Sequence, residues 1–163
     1  MSIEAVQFKN ALRLWASGVT VVTAHAPEQG PRGMTATSFS SVSMEPPQIL
    51  VCLNQNTDTG ALVRETGIFA VNVLAAAQQA ASNQFAGGAT QAERFAALGW
   101  QLSPAGAPWF AEALVSLECK VVQCVTAGTH WVVIGEVTDA VCRGGEPLLY
   151  FDGAYRGLAP VAG

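Results

Sequence analysis

The chain has 163 residues, half of them hydrophobic and 12% charged, with a formal net charge of −4. That length suits a single domain, residues 1–163, with a buried core, and so low a charged fraction predicts apolar surface covered by a second subunit or a ligand. The eight cations (Lys9, Arg13, Arg32, Arg64, Arg94, Lys120, Arg143 and Arg156) are scattered, which argues against a nucleic-acid partner, and no apolar run reaches the length of a membrane span.

Val6, Leu12 and Trp15 recur at helical spacing, so residues 4–16 read as an amphipathic helix that Gly18 stops. The β-branched run at 18–25 predicts a strand, and PEQGPRG at 27–33 a turn. From Gly33 to Asn54 a small-hydroxyl run (Thr35, Thr37, Ser38, Ser40, Ser41, Ser43) surrounds Phe39. It ends in a Pro46-Pro47 turn and the apolar strand Ile49 to Leu53. Short hydroxyls and closely approached backbone N–H groups can hold a phosphorylated planar ligand without placing full charge in the site. The same run also reads as a Ser/Thr-rich strand pair with no ligand.

Residues 54–65 predict a loop entering a helix capped by Thr57 or Asp58, which serves equally as a phosphate neighbour or as a plain cap. A strand follows at 68–74, a helix at 75–88 ending on the glycine pair, and a capping box, Thr90-x-x-Glu93, opening a short helix to Ala97. Residues 114–128 and 130–142 are the clearest strands. In the second, alternation puts Trp131, Val133, Val137 and Val141 on one face and His130, Val132, Ile134, Glu136 and Thr138 on the other. LLYF at 148–151 is a last strand before an aromatic and basic turn at 153–156.

The four cysteines form no Cys-x-x-Cys pair, and His25 and His130 are poorly spaced to complete a zinc site with them. With no signal-peptide pattern, reduced and buried thiols in a cytoplasmic protein are expected. There is no Gly-x-Ser-x-Gly elbow, no Gly-x-x-x-x-Gly-Lys loop and no Gly-x-Gly-x-x-Gly fingerprint. A nicotinamide-using enzyme of this sequence would not be of the Rossmann type.

GMTATSFSSVSMEPPQILVCLN at 33–54 resembles the signature of the short-chain flavin reductases. So do LRLWASGVTVVTA at 12–24, FAVNVLAAAQ at 69–78, NQFAGG at 83–88, ERFAALGW at 93–100, LVSLECKV at 114–121, GTHWVVIGEV at 128–137 and PLLYFDGAYRGL at 147–158. Many members have Gly-Asp-His where this chain has Gly128-Thr129-His130. The Thr form is similar to the reductase components of 4-hydroxyphenylacetate monooxygenase and of the pyrimidine-utilisation pathway. The resemblance implies a mainly β fold, an FMN-binding split β-barrel of six or seven strands with short peripheral helices, and a homodimer. It implies NAD(P)H-dependent reduction of FMN (or FAD) by NADH (or NADPH), and delivery of diffusible reduced flavin to a partner flavin-dependent monooxygenase.

It also implies roles for residues. Thr35, Ala36, Thr37 and Ser38 match the segment at the flavin phosphate and ribityl chain, and Ser41 and Val42 the backbone along the isoalloxazine edge. Cys52, Asn54, Thr57 and Thr59 match a further contact segment, and Phe85 and Ala86 another. His130 matches the histidine beside the nicotinamide, while Tyr155 and Arg156 lie in a C-terminal segment bordering the same pocket. Read without the resemblance, His130 is an ordinary edge residue, Tyr155-Arg156 a surface turn and Cys52 part of the core. Two alternatives belong to the same barrel: an FMN-retaining oxidase, whose substrate phosphate calls for more cations than this chain has, and a non-catalytic flavin- or haem-binding module.

Overall fold

The computed structural model describes residues 2–160. Helix α1 (Ala5–Arg13) leads into β1 (Ser17–Gly18), β2 (Thr20–Ala26), β3 (Gly30–Ala36), β4 (Phe39–Met44) and β5 (Pro47–Asn54). After α2 (Asp58–Thr66) and β6 (Ile68–Val73), a 3-10 turn (Ala76–Gln78) runs into α3 (Gln79–Ala86) and then α4 (Gln91–Ala96). The hairpin β7 (Trp100–Leu102) and β8 (Pro108–Phe110) precedes the long pair β9 (Val115–Ala127) and β10 (His130–Cys142), and the last strands are β11 (Leu149–Phe151) and β12 (Ala154–Arg156).

Seven strands form one antiparallel sheet in the order β3-β2-β6-β9-β10-β5-β4, beside a small β1-β11-β12 sheet and the β7-β8 pair. The sheet curls into a split barrel. Val22, Ala24 and Ala36 from one end of the strand order share a core with Ile49, Val51 and Leu53 from the other, and Leu62 and Val63 of α2 join them. Strand β5 shows why the sequence folds so: its alternate residues Ile49, Val51 and Leu53 are buried, whereas Leu50, Cys52 and Asn54 face outward, half-exposed. A second core, built from Val19, Val21, Phe85, Phe95, Phe110 and Leu148, lies where α3, α4 and β8 cover the other side of β2.

Most expected elements are present, with four differences. Strand β3 begins at Gly30, inside the expected turn, because the Ala26-to-Gly30 reversal needs few residues and Gly30 takes the left-handed φ of 71°. The β7–β8 hairpin was not expected, and residues 154–156 form strand β12 where a turn was expected. Thr138 is an extra residue between Val137 and Asp139 in the β9–β10 ladder, a bulge that reverses alternation. Val141 therefore packs beside Ala70 and Trp109, away from the core shared by Val133 and Val137. All four cysteines are free, but only Cys119 is buried, and Cys124 and Cys142 are exposed. They fall on stretches of the long β9–β10 pair whose neighbours are also exposed.

Candidate functional site

Two adjoining cavities lie on the outer side of the barrel at the Gly33–Asn54 stretch. The first, about 580 Å³, is walled by Leu12, Trp15, Phe39, Leu50, Cys52 and Tyr150, together with Thr37, Ser38, Ser40 and Ser17 and the cations Lys9 and Arg13. The second, about 390 Å³, is lined by Thr35, Thr37, Ser82, Asn83 and Tyr155, with Val19, Ala86, Tyr150 and Gly153. Thr37 and Tyr150 belong to both. A smaller hollow of about 250 Å³ adjoins at Tyr155, with Gln79 and Arg156 on its wall. The first two volumes lie within the range of small-molecule sites.

The hydroxyls are not equivalent. Thr35 donates to the carbonyl of Ser82 at 2.7 Å, and Ser38 donates to the carbonyl of Cys52 at 2.9 Å while accepting from its N–H at 3.2 Å. Both protons are thus committed to backbone, tying β3 to α3 and closing the turn onto β5. Thr37 is exposed, lines both cavities, and has no hydrogen-bond partner for its hydroxyl among the described residues. Of the run's hydroxyls on these cavity walls it is the one left free, since Ser40 donates to the Ser41 carbonyl at 3.1 Å. Across the second cavity, Tyr155 Oη lies 2.8 Å from both Ser82 Oγ and Asn83 Oδ1.

Of the residues expected at the site, Thr35, Thr37, Ser38, Cys52, Ala86 and Tyr155 line the first two cavities, and Arg156 with Tyr155 lines the third. Cys52 faces the cavity and not the core, because it is on the outward phase of β5. Ala36 is on the opposite phase from Thr35 and Thr37 and packs in the barrel core. Ser41 and Val42 are exposed on edge strand β4 and line none of the three cavities. Phe85 is 1% exposed, with its ring in the second core against Phe95 and Phe110. Gly33 is glycine for this reason, since a Cβ there would fall 2.6 Å from the Phe85 ring. The Phe85 ring faces that core, and Ala86 is the part of that segment that lines a cavity.

Asn54, Thr57 and Thr59 also lie off these cavities. Thr57 caps α2, accepting from Gly60 N–H at 3.2 Å and donating to the Asn54 carbonyl at 2.7 Å. Thr59 is 1% exposed and its hydroxyl has no partner among the described residues. His130 is half-buried at the start of β10, opposite Asn54, with Nδ1 2.9 Å from Thr129 Oγ1. The next pair on that face is Val132 opposite Cys52. His130 is therefore about 7 Å along the strands from the first cavity's wall. The sequence reading missed Tyr150, Ser82, Asn83, Trp15, Lys9 and Arg13. Lys9 and Arg13 are four residues apart on one helix, a spacing that puts two cations on one face and could have singled them out.

An apolar slot with Lys9 and Arg13 on its wall, joined to a hydroxyl-lined lane, fits a flavin and its ribityl phosphate. Residues 12–159 match the flavin reductase like domain. The chain belongs to the flavin reductase family. It is 39% identical over 159 residues to the FMN reductase (NADH) RutF of Ancylobacter novellus, covering 97% of this chain and 87% of that protein. It is 33% identical over 160 residues to HsaB, the reductase subunit of a flavin-dependent monooxygenase of Rhodococcus jostii, covering 98% and 80%. Among solved structures, the Streptomyces globisporus NADH:FAD oxidoreductase SgcE6, in complex with NAD and FAD fragments, superposes with a TM-score of 0.90 at 35% identity, covering 98% of this chain and 96% of that one. These similarities put the chain among the NADH-dependent flavin reductases, with a flavin and NADH as its nucleotides, and do not favour the oxidase or the non-catalytic module.

Proposed function

We propose that this flavin reductase holds its flavin across the first two cavities, takes NADH beside His130, and passes reduced flavin to a monooxygenase. The observation that carries the reading is the shared wall: Thr37 and Tyr150 join an apolar slot to a hydroxyl-lined lane. Trp15, Phe39 and Leu50 cover a planar ring and keep water from it, Thr37 donates to the phosphate or ribityl oxygens, and Ser82 and Tyr155 border the same lane. When bound, the flavin supplies the hydride-accepting N5, so the chain needs no acid or base of its own for the transfer. Its tasks are to stack donor on acceptor and to exclude competing reactions. His130 shares the outward sheet face with Cys52 and serves as the positioning contact for the nicotinamide. The relative HsaB, a monooxygenase reductase subunit, supports the onward transfer.

The working form in this reading is a homodimer of one-domain chains in the cytoplasm. Helix α1 has no buried residue, and Val6, Leu12 and Trp15 on or just after it are 72%, 55% and 75% exposed. Val122 and Val125 on β9 and Met44 on β4 add to the uncovered apolar surface, more than a monomer commonly leaves in water. A second copy covers it. Among the described residues no helix is long and apolar enough to cross a membrane, and four free thiols suit a reducing compartment.

The test is NADH consumption by the dialysed protein with and without added flavin. Rapid consumption that begins only when FMN or FAD is supplied supports the reading. Consumption by dialysed protein alone, with a stoichiometric retained flavin, overturns it.

A further inference from the structure

Arg13 and Asp152 meet through three contacts: the Asp152 N–H donates to the Arg13 carbonyl at 2.8 Å, and Arg13 Nη2 lies 3.1 Å from both the Asp152 carbonyl and its Oδ1. This is the one ion pair among the described residues. It joins two elements that each carry cavity wall. Arg13 ends α1, which brings Lys9 and Leu12 to the first cavity, with Trp15 just beyond. Asp152 and Gly153 form the tip of the β11–β12 hairpin, which brings Tyr150 to both cavities and Tyr155 to the second. The tip is shaped for the contact. Asp152 has φ 49°, a left-handed conformation that Asp and Asn tolerate. Gly153 has φ 77°, and a Cβ on it would lie 2.9 Å from Arg13 Nη2.

We infer that Arg13 and Asp152 are positioning residues for flavin, a clamp that holds α1 as the roof of the first cavity. The helix buries no side chain of its own, so packing within the chain does little to fix its place. Within one chain, the clamp and the following β1–β11 pairing, Ser17 to Tyr150 and Gly18 to Leu149, are what tie Leu12 and Trp15 to the rest of the cavity wall. An exposed ion pair adds little to folding stability. Its effect falls on the geometry of the roof, and so on flavin affinity. The inference rests on the cavities being the flavin site, and the experiment separates the two.

Flavin binding is titrated with FMN and with neutral riboflavin for the wild type, Asp152→Asn, Arg13→Gln, Arg13→Lys, the Arg13→Gln/Asp152→Asn double variant and Thr37→Val. Asparagine keeps the left-handed turn, so the hairpin is preserved. Asp152→Asn is expected to weaken both flavins by about fivefold, the scale of one exposed ion pair, with kcat at saturating flavin and the melting temperature unchanged. Arg13→Gln is expected to match it, the double variant to be no worse than either single change, and Arg13→Lys to stay near the wild type. A loss confined to Arg13→Gln and to FMN would mean that Arg13 touches the phosphate directly and would overturn the clamp. Unchanged affinity in Asp152→Asn while Thr37→Val weakens FMN overturns the clamp alone. No effect from Thr37→Val overturns the flavin site, and the clamp with it.

Discussion

Tyr155 and Ser82 meet at 2.8 Å across the second cavity, joining the β11–β12 hairpin to helix α3. The phenol has one proton, which Asn83 Oδ1 at 2.8 Å can accept while Ser82 Oγ donates to the phenol in return. Tyr155→Phe keeps the ring against Leu148 and Tyr150 but removes both links. The expected cost is about 1 kcal/mol of stability for the pair, the net worth of ordinary hydrogen bonds. A widened lane should also weaken flavin by a few-fold. Chemical denaturation and a fluorescence titration measure the two effects, and an unchanged flavin affinity would show that the bridge does not shape the lane.

His130→Ala is expected to raise the KM for NADH with flavin affinity nearly constant. The loss in kcat/KM should be on the order of 10- to 100-fold, one positioning contact's worth, without abolishing turnover. Stopped-flow reduction of pre-bound flavin at varied NADH separates binding from transfer. Complete loss of transfer in a folded, flavin-binding variant would give His130 a chemical role that the proposed mechanism does not need. Glu136 shares its face of β10, and a matching defect in Glu136→Gln alone would move the assignment there.

Glu118 is 3% exposed on β9. Burial pushes its carboxyl up, but hydrogen bonds from Ser103, the Ala105 N–H at 2.6 Å and Thr138 at 2.8 Å together hold it below its ordinary value of 4.5. A carboxyl depressed by folding adds stability above its unfolded pKa, and that stability is lost as pH falls through the lower folded pKa. Thermal melts of the wild type should therefore decline below about pH 4.5, the start of that window. Glu118→Gln should be less stable at neutral pH and show a shallower decline in acid. Parallel curves would exclude Glu118 as a source of the acid limb. The Cys119 thiol beside it is pushed up to about 12 by burial and by the Glu118 charge, and is expected to resist alkylation in the native protein.

The strands were legible because their code is local. Alternation in β5 and the β-branched runs of β2 and β9 announce themselves within a few residues. What was not legible depended on contacts distant in sequence. The Thr138 bulge, whose hydroxyl bonds Glu118 across the ladder, reverses Val141 without a local signal. Phe85 reads as a site residue beside Ala86, yet Gly33, 52 positions earlier, leaves the space that its ring fills. The hydroxyl run marked a stretch that lines both cavities, but not which of its hydroxyls is free. That follows only when Ser82 and Cys52 carbonyls are seen to take the protons of Thr35 and Ser38.

The most direct measurement is the affinity of the wild type and Thr37→Val for FMN and for riboflavin, which lacks the phosphate. Valine keeps the shape of threonine and removes the one hydroxyl of the 33–54 run that lines the cavities without a protein partner among the described residues. A lost hydrogen bond to a charged group costs about 1.5–3 kcal/mol, or roughly 10- to 150-fold in affinity. The expected result is a loss of that size for FMN and a much smaller one for riboflavin. Equal losses for both flavins would move Thr37 away from the phosphate, and no loss for either would contradict the assignment of the two cavities to flavin.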